Sequence, residues 1–166
     1  MPNNFELNIP VTHGLPNDTN GPAQGCLATY NRPYLAFDDT TTETWQSLPV
    51  QIPAAYTGSG TLKLDVAFIC ATATSGNFGA NAYVEAITSG DAVDLDAGDS
   101  YDAANAGSTS VPATAGYVKT LTITLTNKDS LAAGDMVRIK FARDPAVSGD
   151  CTGDVRVLYF VLREEA

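Results

Sequence analysis

The chain is poor in several residue types that chemistry depends on. It has one histidine, three cysteines and one tryptophan in 166 residues, and nine lysines and arginines against nineteen carboxylates. The one histidine, His13, sits between Thr12 and Gly14 in a proline-rich stretch. A triad needs its histidine fixed beside a nucleophile and an acid, so His13 reads as a loop residue. Cys26, Cys70 and Cys151 are too few and too widely spaced for a zinc motif or a disulfide framework, although one bridge stays open. Cys70 follows the apolar side of an alternating segment and reads as a small core residue. Scattered basic residues and a formal charge of -10 argue against nucleic acid as a partner, because phosphate neutralisation needs clustered cations. No run approaches the ~20 apolar residues of a membrane helix, so no membrane partner is expected. The start, Met-Pro-Asn-Asn, lacks the basic and apolar regions of a secretory signal, so the expectation is a soluble protein made in a cytoplasm. Helical periodicity is missing as well, with one turn before Gly134 as the nearest candidate. The glycine-rich segment 57–60 lies between extended pieces rather than before a helix, which makes it a turn and not a phosphate cradle.

What the chain does have is alternation. Leu62, Leu64, Val66, Phe68 and Cys70 alternate with Thr61, Lys63, Asp65, Ala67 and Ile69, the pattern of a half-buried antiparallel strand. Similar segments run over 34–38, 45–52, 80–88, 117–126, 135–143 and 154–163, with a short one near Tyr101. Pro49 and Pro53 put the second of these at an edge or a bulge, since proline cannot donate to a ladder. Roughly eight strands of this kind suit an all-β, two-sheet antiparallel sandwich, and unequal loops favour the Greek-key jelly roll. In the last segment Val155, Val157, Tyr159 and Val161 point one way, and Leu158, Phe160 and Leu162 the other. Both faces are apolar. Such a strand belongs in the middle of a sheet, covered once by its own domain and once by something else, another copy of the chain being one choice.

Residues 1–32 stand apart in composition, with Pro2, Pro10, Pro16 and Pro22 among Asn and Gly. They read as an extended N-terminal arm ahead of a domain at 33–166. Within them Phe5, Leu7, Ile9 and Val11 alternate with polar residues, a short strand that either joins another protein or lies along its own domain. Residues 89–116 form a long Ser, Gly, Asp, Ala and Thr loop, a length that signals function or ordering by a partner. Its Asp91, Asp94, Asp96, Asp99 and Asp102 are hard oxygen ligands, but Gly98 falls one place early for a calcium loop and no closing glutamate follows. No metal, cofactor or catalytic residue is assigned. Tyr30, Tyr34, Trp45, Tyr56, Tyr83 and Tyr101 offer rings for stacking on sugars, with Trp45 foremost because its segment reads as an edge; a lone Trp in a sandwich is more often core.

Several segments carry a family resemblance: Leu35-Ala-Phe-Asp-Asp39, residues 56–71, Ala73-Thr-Ser-Gly76, Pro112-Ala-Thr-Ala-Gly116, residues 120–126, Ser130-Leu-Ala-Ala-Gly-Asp-Met-Val-Arg-Ile-Lys140, Arg143-Asp144, and residues 153–164. Together they span about 33–165 and resemble a jelly-roll domain of tailed-bacteriophage virion proteins. The resemblance implies a homotrimer of the tumour-necrosis-factor-like kind, with Val155, Val157, Tyr159 and Val161 at the trimer interface. It also implies a capsid decoration (cement) protein on the outer surface of the virion, holding the major capsid protein through Phe5, Leu7, Ile9 and Val11. The alternative is a tail-associated receptor-binding or glycan-binding module on the same fold. An enzyme is not expected.

Overall fold

The computed structural model describes residues 3–27 and 31–166 and contains no helix among them. Twelve strands run in chain order: β1 (Asn3–Pro10), β2 (Gly14–Pro16), β3 (Ala23–Leu27), β4 (Arg32–Phe37), β5 (Thr44–Ser47), β6 (Val50–Gln51), β7 (Thr61–Cys70), β8 (Asn77–Ile87), β9 (Asn105–Ser110), β10 (Lys119–Thr124), β11 (Met136–Arg143) and β12 (Val155–Glu165). They form two six-stranded antiparallel sheets. The first has the order β10-β7-β12-β4-β3, with β1 also on β12; the second has the order β2-β5-β11-β8-β9, with β6 on β11. The sandwich is the jelly roll expected from the alternation.

The inward positions of each strand meet in one core. From the first sheet come Leu62, Leu64, Val66, Phe68, Val155, Val157, Phe160 and Leu162; from the second, Trp45, Phe78, Val84, Val137, Ile139 and Phe141. Aromatic rings bridge the two layers. Trp45 stacks on Phe160 at 4.8 Å between centroids, and Phe141 meets Phe160 edge-on at 5.1 Å. Gly14 makes room for the indole, since a Cβ there would come within 2.2 Å of the Trp45 ring. Trp45 is therefore core, closed to solvent, and no platform for a sugar.

β12 is central, paired with β7 along one flank and with β4 and β1 in turn along the other. Its two apolar faces have a simpler cause than a second covering body. The register with β7 slips between Val157 and Tyr159, the mark of a β-bulge, and the inward set changes parity there. Val155 and Val157 point inward before the bulge, and Phe160, Leu162 and Glu164 after it. Val155 and Val157, expected at a trimer interface, are thus packed in the domain's own core. Tyr159 (45% exposed) and half-buried Val161 remain on the outside.

Residues 3–27 do not stand apart as an arm, and the described chain has no boundary at 32. They supply three strands, one to the second sheet and two to the first. β1 lies along β12 from Asn3↔Glu165 to Pro10↔Tyr159. Phe5, Ile9 and Val11 are buried in the core and Leu7 packs against it, so the side chains expected to grip a capsid are used inside the fold. The prolines that suggested an arm mark strand ends and turns: Pro10 ends β1, Pro16 ends β2, and Pro22 precedes β3.

Glu164 fastens this assembly. Its buried carboxylate accepts from Asn4 Nδ2 (2.8 Å), Thr57 N–H (2.9 Å), Gly60 N–H (3.1 Å) and the Thr57 hydroxyl (3.1 Å). Burial pushes the carboxyl upward, but these donors outweigh it and hold the ionisation below the usual carboxylate value. At the other end of the sandwich Arg143, closed to solvent, donates to the carbonyls of Phe37 (2.9 Å), Gly153 (3.0 Å) and Cys151 (2.8 Å) and pairs with Asp150 at 2.9 Å.

Candidate functional site

Alternation places Gln46 of β5, Arg138 and Lys140 of β11, and Asn81, Tyr83 and Glu85 of β8 on the outer face of the second sheet. The register brings them into rows. Lys140 lies opposite Gln46 on one side and Tyr83 on the other, and Arg138 lies opposite Glu85. Two loops wall this face. At one end Val147 packs so closely that a Cβ on Gly79 would come within 2.6 Å of it. At the other, the connection between β8 and β9 crosses the sheet as a flap.

The flap is ordered by the domain itself. Ser100 donates its N–H (2.7 Å) to Glu85, Asp102 donates its N–H to the Val84 carbonyl (2.8 Å), and Asp129 donates its N–H to the Asp102 carboxylate (2.9 Å). Arg138 forms the main tie. It reaches Glu85 at 2.9 Å, Asp99 at 2.8 Å and Gln46 at 2.6 Å, linking β11 to β8, the flap and β5. Glu85 is fully buried and needs this guanidinium as a counter-charge. The part of the long loop beyond the flap is β9, a Gly, Ser and Ala strand on the edge of β8. There Gly107 lies so close to Ile123 that a Cβ would come within 2.7 Å of it.

Between the two walls the sheet face carries two aromatic rings. Lys140 Nζ sits 4.3 Å from the Tyr83 ring centroid and 4.6 Å from that of Tyr101, held between the two rings. The Arg138 guanidinium stands 5.4 Å from the Tyr101 ring. Burial pushes the Tyr101 phenol well above its usual ionisation, so it stays neutral. At Gln46 and Arg138 the face borders a hollow of about 300 Å³, lined further by Leu15, Leu48, Pro49, Leu95 and Met136. Leu15, Leu48 and Leu95 are all exposed there. Planar polar groups and tyrosine rings beside a hollow with apolar walls are the components of a small-molecule recognition site.

No family model matches the sequence, and no curated protein matches it. Solved structures do. The C-terminal family 6 carbohydrate-binding module of LamC, a marine laminarinase from Zobellia galactanivorans, superposes with a TM-score of 0.50 at 14% identity, covering 96% of this chain and 100% of that one. A xylan-binding family 22 module from Paenibacillus barcinonensis Xyn10C gives 0.51 at 11% identity over 98% and 99% of the two chains. The family 11 module from Clostridium thermocellum, in complex with a β-1,3-1,4-mixed-linked tetrasaccharide, gives 0.51 at 13% identity over 95% and 94%. The jelly-roll sandwich is the fold of these carbohydrate-binding modules. At such identities the likeness is one of fold.

The other residues singled out in the sequence are dispersed. Asp91, Asp94 and Asp96 mostly cap their own turns, with Asp91 accepting from Thr88 N–H and Asp94 from Asp96 N–H. Among the described residues no cluster of three metal-binding side chains forms. His13 takes part in the turn after β1, its N–H bonded to the Pro10 carbonyl. Tyr56 is buried against Phe5, and Tyr34 lies under Arg156 on the first sheet at 4.8 Å. Tyr30 lies outside the described residues. Tyr83, Tyr101 and the long loop were legible as candidates. Gln46, Glu85, Arg138 and Lys140 were not, because only strand register unites residues up to 94 positions apart.

Proposed function

We propose that this domain is a carbohydrate-binding module that holds its ligand on the outer face of the second sheet, without turnover. The observation that carries the reading is the Gln46–Lys140–Tyr83 row with Tyr101 above it. A sugar ring presents a C–H face and a rim of hydroxyls. Tyrosine rings suit the first, while an amide and an ammonium suit the second. The flap supplies a wall fixed by Arg138, so little ordering is needed on binding. The fold shared with modules that take xylan and mixed-linkage glucan supports the reading and supplies the first ligands to try.

The test is calorimetric titration with xylan, laminarin and mixed-linkage glucan oligosaccharides, backed by a glycan array. We expect binding that weakens about tenfold or more in Tyr83→Ala, the cost of one lost stacking contact. A folded wild-type protein that binds no glycan, or a Tyr83→Ala variant that binds as well as wild type, overturns it.

A second reading keeps the virion role on the outer face of the first sheet, where Tyr159 and Val118 are exposed beside Ala67 and Ile69. In this reading the chain is a homotrimeric decoration protein bound to a major capsid protein through that face. Light scattering that gives a trimer broken by Tyr159→Glu favours it; a monomer removes it.

A further inference from the structure

The outer face of the second sheet carries two cations from β11, and their charges are used differently. Arg138 is paired with Glu85 and Asp99. Lys140, two residues further along, is paired with no carboxylate among the described residues. Its neighbours are the rings of Tyr83 and Tyr101, 4.3 and 4.6 Å from Nζ to the centroids. Two rings steady an ammonium but leave its charge uncancelled, because a ring quadrupole carries no net charge. Lys140 is half-buried rather than sealed. In the next row Asn81 stands opposite Ala142. It too is half-buried, and its amide bonds none of the described residues. An uncompensated cation, a tyrosine ring and an unused amide thus occupy adjacent rows of one face.

We propose, resting on the carbohydrate reading above, that the ligand is a glycan with isolated acidic sugars, whose single charge, a uronate carboxylate or a sulfate ester, pairs with Lys140. A lysine ammonium is a compact point charge with three rotatable donors, suited to a monoanion. Asn81 offers both a donor and an acceptor to the hydroxyls of the same sugar.

The rest of the molecule sets the charge density of the ligand. The chain has a formal charge of -10, and Asp99 stands on the flap beside Arg138. A polymer charged at every sugar meets that field along its length and still gains only one contact with Lys140. A neutral backbone with a single acidic branch gains the same contact against less repulsion. The site therefore selects isolated charge over dense charge.

The experiment is calorimetric titration of the full-length protein with xylo-oligosaccharides of one length that carry no, one or several glucuronic acid branches. A galactan oligosaccharide with and without one sulfate ester distinguishes the two sources of charge. We expect the singly charged member of at least one pair to bind about fivefold or more tightly than its neutral partner. In Lys140→Met, which keeps the apolar stem, that ratio should fall to about one, and in Lys140→Arg it should survive. Because the ratio within a pair is read, the result stands whatever the substitution does to neutral binding; Lys140→Gln replaces Lys140→Met should the latter fail to fold. Wild-type protein that binds charged and neutral members equally overturns this inference and leaves the carbohydrate reading standing, whereas binding of none of the oligosaccharides overturns both. A preference that persists in Lys140→Met, or an affinity per branch that rises with each added branch, also overturns the proposal.

Discussion

The two outer faces of this sandwich are built by the same rule and finish differently. On the first sheet, outward side chains pair with each other. Lys63 bonds Glu165, Arg163 bonds Asp65 at 2.6 Å, and Thr122 bonds Asp65 at 2.6 Å. Thr120, Thr122 and Thr124 complete an edge of hydroxyls. On the second sheet a flap crosses the face, one carboxylate is fully buried beneath it, and a lysine is held by rings rather than by a carboxylate. Self-paired charges leave little for a ligand. Walls, rings and donors still able to bond leave a site, so outward alternation alone does not make a face functional; the connection that crosses it does.

The contrast breaks most visibly at its two arginines. Arg138→Ala strands buried Glu85 and releases the flap, so we expect a loss of roughly 2–4 kcal/mol in denaturant unfolding. The equivalent change on the other face, Arg163→Ala, leaves carboxylates that still reach solvent, Asp65 and Glu165, where Glu85 is closed to it, and should cost less, about 1 kcal/mol. Equal losses would mean that the flap is not anchored as described.

Acid separates the surface of the first sheet from its interior. Glu164 has an ionisation lowered by its donors, so its stabilisation is complete above the ordinary carboxylate value near 4.5 and is lost as pH falls through the lower folded value. Glu164→Gln should cost roughly 1.5–3 kcal/mol at pH 7 and flatten the fall in stability below pH 4.5. An unchanged acid profile in that variant would refute the assignment. For the ligand, Tyr83→Ala should weaken binding about tenfold, whereas Tyr159→Ala should leave it within about twofold. The smallest effect expected is on stability in Tyr159→Ala, within about 0.5 kcal/mol by thermal unfolding, because that side chain is exposed on the outer face and lies outside the core.

Much of this architecture was legible from alternation because period-2 patterning records a half-buried strand directly. β7, β8, β10 and β11 are all marked in that way. Elsewhere the determinants were not local. The slip beside Leu158 changes which side chains of β12 face inward, and a strand read straight through it shows two apolar faces. β9 has no apolar period at all, because Ile123 fills the space that side chains on Gly107 would need. Trp45 looked like an edge residue beside Pro49, but its cavity is completed by Gly14, which lies 31 positions earlier. In the candidate site the loop length and two tyrosines were visible. The buried carboxylate and its arginine were not, since their pairing depends on register between β8 and β11.

β12 holds the middle of the first sheet, and β1, β4 and β7 all pair with it. Each of those strands precedes it in the chain. During synthesis the first sheet therefore has a gap at its centre, with β1 lacking its pairing partner and Phe5 and Ile9 uncovered, until residues 155–165 leave the ribosome. Closure then requires contacts spanning nearly the whole chain, such as Asn3↔Glu165, and topology of this kind folds slowly. Folding of this domain should thus begin only after β12 has emerged, and shortened chains that end before it would be captured by chaperones or aggregate rather than persist as partial sandwiches.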